Sequence, residues 1–378
     1  MNTNNDKTQV IQTLELSNVY SCNNIGDAAI YASLIDMAES FAVYWPANQF
    51  DVGTNNQQVG CTAVAHNPYL SMDARLSVGG DIFNNARQKL ITKTFLSNLY
   101  QLMMCPSATA LFGQSIPRSC HGISFYCLAK VLRNVASVTV RDVESYQRLS
   151  QAGVNAKLSY DAVLSQSPSE SLLEQVRGIM AANVDFKETA LLSLRPFDAM
   201  YAYDTDRCIE QLVICCQKLS QSGYVPTFMH HAKVDHKDGD AAMIEHIGQR
   251  TPIKVIDPFA LAPDLVPWQF AMAVTAMAEL VIGIRYHTSI FRLAAGKMPF
   301  NLYYSNKGED LCNRLLVPGM AIADFDAEKH IELVIETSGM TFDNLSVAQQ
   351  VRADFEQAMA VATAYQSTND ILNGLCDA

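Results

Sequence analysis

Arg285 and His287 stand two residues apart in the segment Ile282-Gly283-Ile284-Arg285-Tyr286-His287. An apolar strand pattern over 280–283 precedes them and a helical pattern over 288–296 follows, so the spacing predicts both side chains in the turn at a helix N-terminus. In an extended turn, residues two apart point to the same side. A guanidinium grips a carboxylate or phosphate through two parallel hydrogen bonds. The free N–H groups and partial positive charge of a helix start favour the same anions, and an imidazole moves protons near neutral pH. Together they could capture a small anion beside a proton-transfer group. The same residues also suit a capping histidine beside an arginine in a surface salt bridge, and spacing leaves both open.

Other candidates fall at the ends of apolar runs. Lys307 follows a strand pattern over 299–304 that, in a parallel sheet, would lie beside 281–284 and bring the lysine near His287; taken alone it is a solvent-exposed lysine. Arg141 ends the run 137–140 and either reaches a ligand or pairs with Asp142. Arg195 ends the run 189–194, closed by Pro196. Asn24, Gly26 and Asp27 form one glycine turn and Gly79, Gly80 and Asp81 another; glycine lets a backbone approach a ligand closely, but it also simply makes turns. Gln114 follows the run 108–112 and joins the candidates facing a cleft. The histidines at 230, 231, 236 and 246 match no standard ligand spacing and no H-E-x-x-H, so no metal site is expected. The chain has no G-x-S-x-G elbow, phosphate-loop lysine motif or complete G-x-G-x-x-G.

These positions need a scaffold that presents strand ends on one side. The chain has 378 residues, enough for two domains of roughly 150 to 200 residues. Apolar residues make up 49% and charged ones 17%, so a large packed interior is expected. With 27 Lys and Arg against 38 Asp and Glu the net charge is −11, which argues against a nucleic-acid partner while leaving room for a local cationic pocket. The ten cysteines show no C-x-x-C pair and read as reduced, mostly buried thiols of a cytoplasmic protein. Residues 1–10 are polar, so no signal peptide is expected, and the apolar stretch 270–284 is too short and too interrupted for a membrane span.

Strand and helix patterns alternate twice. The first run opens with a strand over 13–19 and a helix over 28–41; a polar, Pro-containing stretch over 165–170 is the linker candidate. The expected fold is α/β, two Rossmann-like doubly wound domains facing a cleft: an N-terminal domain over 1–168, a C-terminal one over 169–345, and a helical segment over 346–378.

The motif set resembles the polysaccharide pyruvyl transferase family. The matching pieces run in family order: Asn24-Ile25-Gly26-Asp27, Val78-Gly79-Gly80-Asp81, Phe112-Gly113-Gln114-Ser115, Arg141-Asp142 with Ser145, Asp161-Ala162-Val163, Ser193-Leu194-Arg195-Pro196-Phe197, Gly283-Ile284-Arg285-Tyr286-His287 and Tyr303 to Lys307. The chain has Val78 where the family often carries a third glycine, and Ala28 where an acidic residue is common. The resemblance implies a GT-B-like fold and transfer of pyruvate from phosphoenolpyruvate to a sugar as a ketal during surface or exopolysaccharide biosynthesis. It assigns Arg141, Arg285, Lys307 and Arg195 to the donor anion and His287 to proton delivery. It places Asn24, Gly26, Asp27, Gly80, Asp81 and Gln114 on the acceptor side or the cleft. It implies no cofactor beyond the donor substrate. A sugar or lipid-linked glycan is the expected acceptor, with room for peripheral membrane association and for a homo-oligomer. A glycosyltransferase using a nucleotide sugar, or a non-catalytic relative, would share the architecture.

Overall fold

A computed structural model describes residues 11–20, 22–46, 52–65, 72–84, 91–182, 184–195, 204–233 and 239–376. Among the described residues, twelve short strands make two six-stranded sheets in which every strand pairing is parallel. The first contains β1 (Gln12–Ser17), β2 (Phe41–Tyr44), β3 (Ala74–Ser77), β4 (Thr109–Gln114), β5 (Ser137–Val140) and β6 (Ala156–Leu158), ordered 2-1-3-4-5-6. The second contains β7 (Thr189–Leu192), β8 (Val225–Met229), β9 (Lys254–Ile256), β10 (Leu280–Gly283), β11 (Phe300–Tyr303) and β12 (Gly319–Ala321), ordered 12-11-10-7-8-9. Helices cover both faces, so central strands such as β4, β7 and β10 are buried throughout and read as continuous apolar runs. This is the expected pair of doubly wound sheets. Strand order reverses between β1 and β3 in one sheet and between β7 and β10 in the other. In such sheets ligands bind beyond the carboxyl ends of the strands at those reversals.

Capping decides several element ends. Asn24 accepts hydrogen bonds from the N–H groups of Gly26 and Asp27, so the first helix is Ile25–Met37 rather than 28–41. β2, not foreseen, begins at Phe41, where that helix was expected to end; its residues are only half-buried at the sheet edge, which hides any alternation. The stretch 165–170 is not a loose tether. It runs from a 3-10 turn, Ala162–Ser165, to the helix Glu170–Met180, which Ser169 caps, and the Ser167 hydroxyl donates to the Ala294 carbonyl at 3.1 Å. Pro196, Phe197 and His236 lie outside the described residues.

The last helix, Asn344–Cys376, returns to the first sheet. Val351, Phe355 and Met359 are buried there, with the Phe355 ring edge-on to Phe112 at 5.4 Å. Ser159, just past β6, donates to Asp354 at 2.6 Å. One apolar cluster continues through both lobes, from Leu14 and Ala29 to Phe270 and Phe291. The Trp268 indole N–H adds a polar tie to the Val59 carbonyl at 2.9 Å. No helix among the described residues is long and apolar enough to cross a membrane.

Candidate active site

The carboxyl ends of the strands at the two reversals face each other across a cavity of about 410 Å³. The first lobe lines it with Asn24, Asp27, Gly80, Asp81 and Arg141, and the second with Arg195, His231, Arg285, His287 and Lys307. Two inter-lobe hydrogen bonds border it, from the Ile25 N–H to the His231 carbonyl at 3.0 Å and from the Lys233 N–H to the Asn23 carbonyl at 3.3 Å. Asn24 and Lys307, far apart in sequence, thus share one hollow because both sheets aim their switch points at it.

Arg141 is the centre of the first-lobe side. It is fully buried, with Nη1 at 2.5 Å from Asp161 Oδ2, Nη2 at 3.3 Å from Asp81 Oδ1 and Nε donating to Ser115 Oγ at 2.9 Å. Burial opposes the charged form, but Asp161 and Asp81 outweigh it and raise the pKa. Arg141 does not pair with Asp142. That carboxylate caps the helix Val143–Gln151, accepts from the Ser145 hydroxyl at 2.7 Å, and accepts from Asn306 Nδ2 of the other lobe at 3.0 Å.

Lys307 arrives on the helix Asn306–Arg314, which follows β11, the neighbour of β10. Its ammonium lies 2.5 Å from Asp81 Oδ2 and 5.2 Å from the Tyr286 ring centroid, and the Arg141 guanidinium stands 4.9 Å from the same ring. Burial would raise the Asp81 pKa, but Lys307 and Arg141 together hold it below the ordinary carboxylate value. Lys307 is therefore not an isolated surface lysine.

The helix at the second reversal begins earlier than its pattern indicated, at Tyr286, with Arg285 as the N-cap position. Tyr286 and Thr288 are buried, so the apolar period starts late although the backbone already turns. Arg285 and His287 consequently have different partners. The Arg285 N–H donates to Ser193 Oγ at 3.0 Å, its Nε donates to the Leu194 carbonyl at 2.5 Å, and its Nη2 lies 3.8 Å from Asp240 Oδ2. His287 instead reaches the first lobe. Its Nε2 lies 3.7 Å from Asp161 Oδ2, is buried and has no hydrogen-bond partner. A Cβ on Gly26 would stand 2.1 Å from its Nδ1, so Gly26 is needed for the ring to sit where it does. Burial, the largest influence, together with Arg141 and Lys307 pushes the His287 pKa down to about 3 against the pull of Asp161 and Asp81. The imidazole is therefore neutral at neutral pH.

Arg195 Nη1 donates to the Tyr304 hydroxyl at 3.0 Å on the cavity wall. Burial would raise the Tyr304 pKa, but Arg195, Lys307 and Arg285 outweigh it and lower it. Gln114 does not line the cavity. It ends β4 fully buried, and its amide donates to Ser77 Oγ at 2.8 Å and the Val78 carbonyl at 3.2 Å, bracing the loop that carries Gly80 and Asp81. His230 goes to Asp240 at 2.5 Å, His231 contacts Thr288 Oγ1 at 2.6 Å, and His246 is exposed on the helix Ala241–Gly248. No group of three or more metal-ligating side chains occurs among the described residues. Sequence reasoning gave no role to Asp161, Asp240, Tyr286 or Tyr304. Asp161, Tyr286 and Tyr304 carried the signal used for the others, polar residues just past a strand, whereas Asp240 stands at the N-cap of the helix Ala241–Gly248, well beyond β8, and carried none.

Two doubly wound sheets with their switch points opposed over a cationic cleft define a two-lobed α/β protein of the GT-B type. Solved structures share that fold. They include the UDP-GlcNAc 2-epimerase of Methanocaldococcus jannaschii, with a TM-score of 0.58, 9% identity, and 95% of this chain and 99% of that chain covered. The UDP-GlcNAc 2-epimerase of Neisseria meningitidis gives 0.56, 8%, 92% and 99% in the same terms, and Anabaena Alr3699/HepE in complex with UDP-glucose gives 0.52, 12%, 96% and 99%. No curated protein matches the chain by sequence. Residues 24–306 match the family described as polysaccharide pyruvyl transferase, and the chain belongs to that family. Its family makes it a transferase.

Proposed function

We propose that the cavity takes phosphoenolpyruvate and moves its three-carbon unit onto two hydroxyls of a sugar as a cyclic ketal, releasing phosphate, during assembly of a surface or exported polysaccharide. One observation carries this reading. Arg141, Arg195, Arg285 and Lys307 converge from both lobes on a cavity that also holds a neutral histidine with an orphaned ring nitrogen. Phosphoenolpyruvate presents a carboxylate and a phosphate on one small frame, which suits several cations around one hollow. No cofactor enters this scheme.

The chemistry asks for a proton on the methylene carbon, which leaves the adjacent carbon electrophilic. One sugar hydroxyl adds there, phosphate departs, and the second hydroxyl closes the ketal. Of the two hydroxyl protons released overall, one balances the new methyl group and the other leaves with phosphate. His287 delivers the proton in this reading. Its Nε2 has no competing partner, and a bound anion beside it offsets Arg141 and Lys307, the cations that now depress its pKa. The donor's charge thereby makes the acid that the reaction needs. Arg141, Arg285, Lys307 and Arg195 hold the anion and stabilise charge on the departing phosphate. Asp81 and Asp27, on the first-lobe wall, orient the acceptor.

Candidate glycan acceptors incubated with phosphoenolpyruvate and the protein are expected to gain the mass of one pyruvate ketal by mass spectrometry. Calorimetric binding of a nucleotide sugar, with silence toward phosphoenolpyruvate, would overturn the assignment in favour of glycosyl transfer.

A further inference from the structure

The chain is acidic overall, with 38 Asp and Glu, yet residues 82–140 contain none. The same stretch carries Arg87, Lys89, Lys93, Arg118, Lys130 and Arg133. Its described residues also expose a group of large apolar side chains. In the helix Lys93–Met104, Phe95, Leu99 and Leu102 pack inward, while Leu96, Tyr100, Met103 and Met104 are each half or more exposed. These outward residues continue from Lys93 at helical spacing, so they form one row. The adjoining helix Gly122–Leu132 adds Ile123 and Tyr126, also more than half exposed, in line with Lys130. A helix apolar on both faces is under-buried in water, and an apolar patch of this kind marks a place of contact.

From this charge and apolar pattern we infer that the face built by the helices Lys93–Met104 and Gly122–Leu132 docks on an anionic lipid bilayer. Apolar side chains and tyrosines enter the interface between headgroups and acyl chains, while lysines and arginines pair with anionic headgroups. A stretch without acidic side chains removes the repulsion that the rest of this protein would meet there. Arg118 contributes least, because Glu144 and Glu309 already pair with it. The patch also connects to the site. Thr92, Thr94 and Asn98, at the start of the same helix, line the acceptor side of the cavity. A bilayer on the outer face would therefore lie beside the entrance used by a sugar carried on a lipid. That last link rests on the proposed function; the docking itself does not.

Flotation of the full chain with phosphatidylglycerol–phosphatidylcholine vesicles, against phosphatidylcholine vesicles alone, tests the docking. The protein is expected to float with the anionic vesicles and to be released by salt. Lys93→Glu with Lys130→Glu should weaken vesicle binding by roughly fivefold or more per lysine, and Leu96→Glu with Tyr100→Glu should abolish it. These side chains are outside the cavity, so phosphoenolpyruvate binding and transfer to a water-soluble acceptor should stay unchanged in both variants, which also reports that they fold. Equal binding to neutral and anionic vesicles, or no binding to either, overturns the inference. So does a dimer of the chain that these substitutions dissociate without any vesicle binding. Vesicle binding without phosphoenolpyruvate binding would instead sink the proposed function alone.

Discussion

His287 carries the clearest consequence of burial. Its pKa falls from 6.5 to about 3 in the folded chain, so between those values the unfolded chain holds a proton that the folded chain lacks. The contribution of this site to stability is therefore complete above pH 6.5 and is lost as the pH falls toward 3. Denaturant melts at neutral and at mildly acidic pH should show a smaller acid-induced loss in His287→Asn than in the wild type; an identical loss would mean the ring is not buried neutral. Binding an anion reverses the local balance, so calorimetry in buffers of different ionisation enthalpy should show proton uptake with phosphoenolpyruvate, absent in His287→Asn. At this scale the sequence reported residue types and not partners. Gly26 was legible as a turn glycine, whereas its use here is to leave space for an imidazole from the other lobe.

Among the elements, the helix Asn306–Arg314 does the most to close the site. Asn306, Asp310 and Arg314 are spaced by four and share one face. That face meets the first lobe: Asn306 donates to Asp142, Asp310 accepts from the Val143 N–H at 3.0 Å, and Arg314 donates to the carbonyls of Arg141 and Ser159 at 3.1 and 2.6 Å. Lys307 is carried between these anchors. Asn306→Ala leaves Asp142 short of a buried donor and should cost about 1 to 3 kcal/mol. Because it also loosens the seat of Lys307, it should weaken phosphoenolpyruvate binding; denaturant melts and titration calorimetry check the two effects, and unchanged affinity would detach this helix from the site. Its existence was not legible beforehand. Leu311 is its only buried apolar side chain, so no hydrophobic period marks it, and it docks through hydrogen bonds instead.

Across the whole molecule, the lobes are joined by more than the cavity. The shared apolar cluster, the Trp268–Val59 tie and the return of the helix Asn344–Cys376 to the first sheet couple them. Thermal unfolding should therefore be one cooperative transition, and saturating phosphoenolpyruvate at about a hundredfold over its Kd should add about 2.7 kcal/mol. Two resolved transitions in calorimetry, with only one moved by the ligand, would show that the lobes are energetically separate. The negative net charge and the cationic cavity coexist because the cations sit in a hollow ringed by a few carboxylates while the surplus acids lie elsewhere.

The alternation of apolar runs and helical periods, and the polar residues that punctuate them, were readable from the chain itself because both depend on neighbours a few positions away. That local record was enough for two doubly wound sheets, for the family resemblance and for most of the cavity's cations. Which charges meet was settled only by folding. Arg141 chose Asp161 over the adjacent Asp142, Gln114 turned beneath a loop instead of into the cleft, and His287 crossed to Gly26 of the other lobe. Those outcomes depend on strand order and on the docking of one lobe against the other, and long-range placement of that kind leaves no periodic trace in the sequence.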